Sequence, residues 1–351
     1  MKKHWWKALG VLILLYVLTA GMLVPLKPGI ARVEPKKAIA GQLLRLKVWG
    51  YNTNFKRAEG EIRAWLKLND AYVLGSEGLL VKNDQEMTVI FQLPGVLPVY
   101  DEVTEASLVL DNPMDGAIVL PAAVFVKQDV IDVPKADAIW ENTPIQNLHT
   151  KKEITFPFRN ILTETIRNTY FHVALWLAMV ILLISSVVYS ILYLRNFNSD
   201  YDRKAVALTS VGLFYGILGI VTGAIWAKNT WGAYWSWDVK QNTTAIALLI
   251  YAAYFVLRNA FSEDPEKKAR LAAVYNIFAF VALIPLIYVI PRMTDSLHPG
   301  AGGNPALGGE DLDNTMRMIF YPAVIGWALL GLWIAQLSYR ITTLKAKLLD
   351  F

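Results

Sequence analysis

Six long runs of apolar residues, none of which contains a charged side chain, set the pattern of this chain. They cover residues 8–24, 171–194, 205–227, 243–257, 271–290 and 318–339. Most approach the roughly 20 residues that a helix needs to cross the hydrocarbon core of a bilayer. The pattern therefore predicts a multi-pass α-helical membrane protein with six transmembrane helices.

Residues from about 33 to 130 follow a different pattern, in which apolar and polar side chains alternate. Leu44, Leu46 and Val48, for example, are separated by single basic residues. A period of two is typical of half-buried β-strands, and turn-forming Asn-Asp and Pro-Gly pairs separate the candidate strands. About seven short strands at this spacing predict an inserted immunoglobulin-like β-sandwich, which we interpret as a docking or spacer module.

The two patterns divide the chain into four predicted segments. Residues 1–30 hold the N-terminal transmembrane helix, and residues 31–135 hold the β-sandwich. Residues 136–165 are predicted to be an irregular linker. Residues 166–351 form a five-helix membrane domain, in which residues 226–241 are predicted to be a tryptophan-rich loop.

The positions of lysine and arginine predict how the chain is oriented. Basic residues gather before the first apolar run, between the second and third, between the fourth and fifth, and after the sixth. Such an excess marks the cytoplasmic loops of membrane proteins. We therefore expect both termini in the cytoplasm, with the β-sandwich, the tryptophan-rich loop and the loop near His298 on the other side of the membrane.

The composition supports a membrane protein and excludes several kinds of chemistry. Hydrophobic residues make up 55% of the chain and charged residues 18%, whereas soluble domains are about a quarter charged. The chain has no cysteine, which excludes a disulfide scaffold, an iron–sulfur cluster and a cysteine nucleophile. The net charge of +5 is typical of a membrane protein with basic cytoplasmic loops and does not indicate nucleic-acid binding.

Aromatic residues are dense between the third and fourth apolar runs. The candidate binding residues there are Trp231, Gly232, Tyr234, Trp235, Trp237 and Asp238. An interfacial belt is one interpretation, because Trp and Tyr gather at membrane surfaces. A dense string within one loop favours the other interpretation, a platform on which a large planar apolar ligand stacks. Asp238 either orients a ligand or caps the following helix, and the pattern leaves both open.

Histidines at two positions complete the candidate site. His172 opens the second apolar run, and His298 lies between the fifth and sixth runs. The predicted topology places both on the same face of the membrane as the tryptophan-rich loop. Two neutral imidazoles beside an aromatic surface are what bis-histidine haem ligation requires. We therefore expect His172 and His298 to be the axial ligands of a haem iron.

The string WGAYWSWD at residues 231–238 resembles the tryptophan-rich signature of the haem-handling membrane proteins of cytochrome c biogenesis, the CcmC, CcmF and CcsA family. The resemblance covers roughly residues 160–345 and the first helix. It implies a protein of the bacterial inner membrane with the β-sandwich and the haem site in the periplasm. The loop would bind haem b non-covalently and transiently, with two outer histidines on the iron. His172 and His298 occupy the matching positions. After Asp238 the sequence differs from the family pattern, and we interpret Lys240 as a partner of a haem propionate.

The short six-helix members, of CcmC type, are most similar. The longer CcmF-type and CcsA-type members usually carry further histidines deep in the membrane, whereas the apolar runs of this chain have none in their interior. The resemblance then implies a protein without enzyme activity that presents haem to a CcmE-like periplasmic chaperone. A CcmD-like small subunit and a CcmA–CcmB transporter are the other implied partners, beside membrane lipid. A CcsA-like cytochrome c synthase component and a non-haem membrane scaffold are the alternatives.

Overall fold

A computed structural model describes residues 4–69, 71–140, 145–151, 153–261, 263–298 and 312–349. The chain separates into two compact units. The membrane unit consists of Met1–Val24 together with Glu164–Phe351, and the β unit consists of Pro25–Thr163.

The helices in chain order are α1 (Trp5–Leu23), α2 (Val133–Ile139), α3 (His172–Asn196), α4 (Ser199–Trp231), α5 (Val239–Ala260), α6 (Pro265–Ile284) and α7 (Asn314–Leu349). A 3-10 helix, Thr163–Tyr170, precedes α3, and a π-helical turn, Pro285–Val289, follows α6. All of the numbered helices except α2 belong to the membrane unit. Within the described residues, six helical segments are long and apolar enough to cross a membrane, which confirms the predicted multi-pass membrane protein.

The helices of the membrane unit extend beyond the apolar runs because polar residues cap their ends. Asn198 accepts a hydrogen bond from the Asp200 backbone N–H at the start of α4 (2.9 Å). Asp264 accepts one from the Lys267 backbone N–H at the start of α6 (3.0 Å). Such caps satisfy N–H groups that have no partner in the first turn, so a helix begins before its lipid-facing part does.

Ion pairs and hydrogen bonds join the helix ends that carry the basic residues. Arg258 near the end of α5 donates to both carboxylate oxygens of Asp202 in the first turn of α4 (2.7 and 2.8 Å). Tyr339 of α7 donates to Asp200 (2.9 Å). The loops expected on the cytoplasmic side therefore share one end of the bundle, and the other end of α4 carries the tryptophan-rich segment.

Glycines on α4 allow α3 to pack closely against it. A Cβ atom added to Gly219 would lie 2.5 Å from Trp176, and one added to Gly223 would lie 2.7 Å from Cε1 of His172. Real Cβ atoms essentially never approach this closely. The absence of a side chain at these positions therefore lets the first turns of α3 lie directly on α4.

The β unit contains strands β1 (Gly29–Glu34), β2 (Lys37–Ile39), β3 (Leu43–Tyr51), β4 (Arg63–Lys67), β5 (Val73–Gly75), β6 (Gly78–Asn83), β7 (Glu86–Gln92), β8 (Val103–Asn112) and β9 (Gly116–Lys127). Over its described residues the strands form two sheets, in the orders β1-β3-β7-β6 and β2-β9-β8-β4-β5. The predicted β-rich insertion is thus confirmed. The described residues form more strands than the seven or so expected. The strands β2 and β5 have only three residues each, which is too short for an alternating pattern to predict them.

The alternating residues of β3 point into the core, as their pattern predicts. Leu44, Leu46 and Val48 are each at most 4% exposed. Leu44 lies opposite Phe91 of β7, and Leu46 lies opposite Val89. Burial of this apolar surface from two facing sheets stabilises the β unit.

The segment predicted to be a linker, residues 136–165, contacts the rest of the β unit at several of its described residues. Trp140 is 5% exposed, and its indole N–H donates to the Val96 carbonyl (2.9 Å). Phe156 is also buried and exchanges backbone hydrogen bonds with Pro25 and Lys27 (2.9 and 2.8 Å). The sequence of this segment has no alternating pattern. Its contacts are with residues far away in the chain, so the sequence does not predict them.

Asp111 in β8 is a buried carboxylate with charged and polar partners. Its oxygens accept hydrogen bonds from the Arg63 guanidinium (3.1 Å) and from the His149 backbone N–H (2.8 Å), and the His149 ring nitrogen Nδ1 lies 2.9 Å away. Burial alone would raise the pKa of Asp111, but the hydrogen bonds from Arg63 and His149 outweigh burial and lower it. The Asp111 carboxylate is therefore ionised and hydrogen-bonded in the folded protein.

The β unit is expected to lose stability in acid through Asp111. A lowered folded pKa means that the carboxylate stabilises the fold above its unfolded pKa of about 3.9, and that this contribution is lost as pH falls through the folded pKa. Asp111→Asn should cost about 1–3 kcal/mol at neutral pH and remove this part of the acid sensitivity. Amide hydrogen-exchange protection of β8 and β9 in the whole protein measures both effects. Asp101→Asn, at an exposed position, is the control, and unchanged acid sensitivity in Asp111→Asn would contradict the prediction.

Candidate functional site

The candidate site lies where α3 begins, α4 ends and α5 begins. The predicted loop 226–241 is shorter in the structure, because α4 continues to Trp231 and α5 starts at Val239. Helix α4 ends at Gly232, whose φ of +85° is a left-handed conformation that glycine adopts without strain. The connecting segment, residues 232–238, is called the tryptophan loop below.

His172 is the first residue of α3 and contacts α4. Its Nδ1 lies 3.1 Å from the Thr222 hydroxyl oxygen. That hydroxyl also lies 2.9 Å from the Leu218 carbonyl oxygen of its own helix, to which it donates its single hydrogen. The hydroxyl oxygen is therefore left to accept from Nδ1–H, which places the lone pair of His172 on Nε2.

His298 contacts Asp238, the residue that ends the tryptophan loop. Its Nδ1 lies 2.8 Å from a carboxylate oxygen of Asp238. Because an ionised carboxylate only accepts hydrogen bonds, Nδ1 carries the hydrogen, and the lone pair of His298 is also on Nε2. Burial lowers the pKa of His298 even though the Asp238 carboxylate opposes this. The imidazole is therefore neutral at neutral pH, which is the form that binds a metal.

Asp238 both caps a helix and holds the His298 segment. It accepts from the Lys240 backbone N–H at the start of α5 (2.9 Å), from the Leu297 backbone N–H (2.8 Å) and from the Ser296 hydroxyl (2.9 Å). Burial alone would raise the pKa of Asp238, but these hydrogen bonds outweigh it and lower the pKa. Of the two roles that the sequence leaves open for Asp238, the helix cap is present, and the same carboxylate also contacts His298.

The aromatic residues divide into a packed group and an exposed group. Trp231 and Trp226 pack against the His298 ring, with ring centroids 4.8 and 6.3 Å away. Trp235 is half-buried, whereas the side chains of Tyr234 and Trp237 are 60% and 78% exposed. Trp231 thus supports His298, and the exposed rings remain available for contact with a ligand.

Side chains of α5 hold the tryptophan loop in place. The Gln241 side-chain oxygen accepts from the backbone N–H and the hydroxyl of Ser236 (2.9 and 3.1 Å). The Asn242 side chain donates to the Trp237 carbonyl (2.8 Å). Trp237 itself has a φ of +58°, a conformation that costs energy for a residue with a side chain. These bonds therefore fix a strained loop in one shape.

The site offers donors of the kind that an iron porphyrin takes. Imidazoles with the lone pair on Nε2 are axial donors for haem iron, and indole rings supply apolar contact area for a macrocycle. His172 contacts Thr222 and the His298 ring packs against Trp226, which lies about one turn farther along α4, so both imidazoles lie beside the same stretch of that helix. The residues that sequence reasoning selected are therefore grouped at one end of the membrane unit.

Sequence reasoning did not select four residues that lie beside the two histidines on α4 and in the His298 segment. These are Thr222, Gly223, Trp226 (placed in the tryptophan-rich loop but not among the candidate binding residues) and Ser296. A signal for the first three exists, since Thr222, Gly223 and Trp226 recur at helical spacing on the same α4 face as Gly219. No pattern in the sequence indicates Ser296, whose partner is far away in the chain.

The fold and the paired histidines define a multi-pass membrane protein with a candidate haem site, and comparison with known proteins identifies its family. Residues 157–349, more than half of the chain, match the family model of CcmC, described as Heme exporter protein C. The chain belongs to this family, as the tryptophan-rich signature indicates.

Individual relatives agree with this family. Heme exporter protein C of Haemophilus influenzae is 29% identical over 140 residues, which are 40% of this chain and 56% of that protein. Heme exporter protein C of Bradyrhizobium diazoefficiens is 28% identical over 185 residues, 52% of this chain and 68% of that protein. Cytochrome c biogenesis protein CcsA of Pelargonium hortorum is 36% identical over 95 residues, 27% of this chain and 30% of that protein. The chain therefore spans little more than half of the Haemophilus protein.

Proposed function

We propose that this chain binds haem between His172 and His298 and passes it to an acceptor during maturation of c-type cytochromes. The observation that carries the proposal is the pair of imidazoles whose Nδ1 atoms are engaged by Thr222 and Asp238, so that the lone pair of each ring lies on Nε2, the atom that would bind iron. The similarity to proteins named heme exporter protein C supports a haem-handling role.

In this proposal the residues of the site have separate tasks. His172 and His298 are the axial ligands, and Trp231, Tyr234, Trp235 and Trp237 contact the haem b macrocycle, which is bound non-covalently. Gly232 ends α4 and opens the tryptophan loop. Lys240 pairs with a propionate, since an ammonium stabilises a nearby carboxylate.

The location and partners follow from the same proposal. The charge pattern supports a site on the periplasmic face of a bacterial inner membrane. A CcmE-like chaperone would take the haem, with a CcmD-like subunit and a CcmA–CcmB transporter as further partners. We infer that the chain transfers haem and is not itself an enzyme.

The second candidate function is that of a CcsA-like synthase component, which would attach haem to an apocytochrome. The observation that favours it is the 36% identity to CcsA of Pelargonium hortorum. A synthase would convert haem and an apocytochrome with free cysteines into a thioether-linked product. Detection of that product with this chain, in the absence of other maturation proteins, would show that the chain acts as a synthase and not only in haem transfer.

An absorption spectrum of the protein extracted from membranes with haem tests the proposal. We expect a low-spin, six-coordinate haem at one per chain. Trp231→Ala should weaken haem binding by about tenfold, because it removes ring contacts from the site and support from His298. Trp333→Ala is the matched control, since Trp333 lies beside Lys7 (5.3 Å from the ring) near the basic helix ends. A high-spin spectrum, or no saturable haem binding, would contradict the proposed function.

A further inference from the structure

The two imidazoles of the site have chemically different partners at Nδ1. His298 faces the carboxylate of Asp238, whose side chain is 3% exposed. His172 faces the neutral hydroxyl of Thr222, which also bonds to its own helix (2.9 Å to the Leu218 carbonyl oxygen). The two candidate ligands are therefore alike in type but unlike in surroundings.

The partner at Nδ1 sets how strongly Nε2 donates electrons to a metal. A carboxylate draws the Nδ1 proton toward itself and gives the imidazole anionic character, which raises the basicity of the ligand. A hydroxyl that already donates elsewhere carries no charge and accepts a weaker bond. His298 is therefore the stronger donor of the two, and His172 is the weaker.

Hydrogen bonds around Asp238 also fix the segment that carries His298. Asp238 accepts from Ser296, Leu297 and His298 (2.9, 2.8 and 2.8 Å) and simultaneously caps α5. Trp231 packs on the His298 ring. Asp238 thus bonds to the His298 imidazole and to the two residues before it, whereas the His172 imidazole has only uncharged oxygen partners, the Thr222 hydroxyl and the Gly219 backbone carbonyl, among the described residues.

We propose that His298 is the axial ligand retained on haem and that His172 is the one released when haem is handed on. Thr222 and Asp238 are the positioning residues that set this order. The inference rests on the proposed function. In the step, the bond between iron and Nε2 of His172 breaks, and its electron pair stays on Nε2. A neutral nitrogen donor of the acceptor then occupies the vacated position, and the oxidation state of the iron does not change.

Carbon monoxide binding to the dithionite-reduced, haem-loaded protein tests the order of release. Carbon monoxide can bind only after one histidine leaves, so its binding rate measures release of the labile ligand. The C–O stretching frequency of the product reports electron donation from the ligand that remains. The near-isosteric variants Thr222→Val and Asp238→Asn each alter the partner of one histidine.

The expected results separate the two histidines. Thr222→Val should speed carbon monoxide binding by about two- to tenfold, through loss of one hydrogen bond, and leave the C–O frequency unchanged. Thr222→Ser keeps the hydroxyl and should restore the wild-type rate. Asp238→Asn should raise the C–O frequency, because the retained His298 donates less. Thr19→Val is the control, since the Thr19 hydroxyl also donates to its own helix (2.9 Å to the Leu15 carbonyl) and lies on α1.

Other outcomes overturn the inference in distinguishable ways. A frequency shift in Thr222→Val without one in Asp238→Asn would make His172 the retained ligand. Equal shifts in both variants, or none in either, would show that the Nδ1 partners do not set the order. A wild-type protein without six-coordinate haem would instead overturn the proposed function itself.

Discussion

Alanine in place of His298 is expected to convert six-coordinate haem into a weakly held five-coordinate form. The variant removes one axial bond and the partner of a buried carboxylate, Asp238. Affinity should fall by at least about 100-fold, since even the hydrogen-bond partners of metal ligands account for 10- to 100-fold. His172→Ala should have a similar effect, and the double variant should bind no haem with a defined spectrum. Spectral titration with haem measures all three.

His4→Ala is the matched control for these histidine variants. His4 is exposed and immediately precedes α1, at the end of that helix remote from the site. Its removal should leave the affinity and the spectrum unchanged. A double variant, His172→Ala with His298→Ala, that retained the six-coordinate spectrum would show that other residues bind the iron.

The second large effect is expected from a single methyl group on α4. In Gly223→Ala the new Cβ would lie 2.7 Å from Cε1 of His172, where ordinary contact begins near 3.4 Å. The imidazole must therefore move by most of an ångström, and a metal site tolerates about 0.5 Å. We expect haem affinity to fall by about tenfold or more and the spectrum to shift toward high spin.

Gly212→Ala separates this local effect from a general loss of packing. Its Cβ would lie 2.6 Å from Leu183 on α3, a comparable clash farther along the helix from His172. Both variants should lower the melting temperature, whereas only Gly223→Ala should change the haem spectrum. If both variants changed the spectrum equally, Gly223 would have no special role in placing His172.

The sequence predicts the membrane-spanning helices well because a bilayer imposes a simple requirement on length and polarity. It predicts helix ends less well, since a cap such as Asp264 extends a helix beyond its apolar run. The short strands β2 and β5 escape prediction because alternation needs more than three residues. The contacts of Trp140 and Phe156 also escape prediction, because their partners are distant in the chain.

The residues of the candidate site also divide into those that the sequence predicts and those that it does not. His172, His298 and Trp231 are found from the sequence because residue type and alternating topology place them at one end of the bundle. Thr222 and Ser296 are not, because an ordinary polar residue becomes significant only through its neighbour in space. The asymmetry between the two histidines is thus visible only in the structure.

Hydrogen bonds connect the tryptophan loop, the first turn of α5 and His298. Gln241 and Asn242 of that turn bond to the loop, and Asp238 joins the turn to His298. The exposed Trp237 ring is therefore connected through one short segment to the imidazole of His298. A protein that contacted this ring would reach the histidine that we propose is retained, without contacting the one that we propose is released.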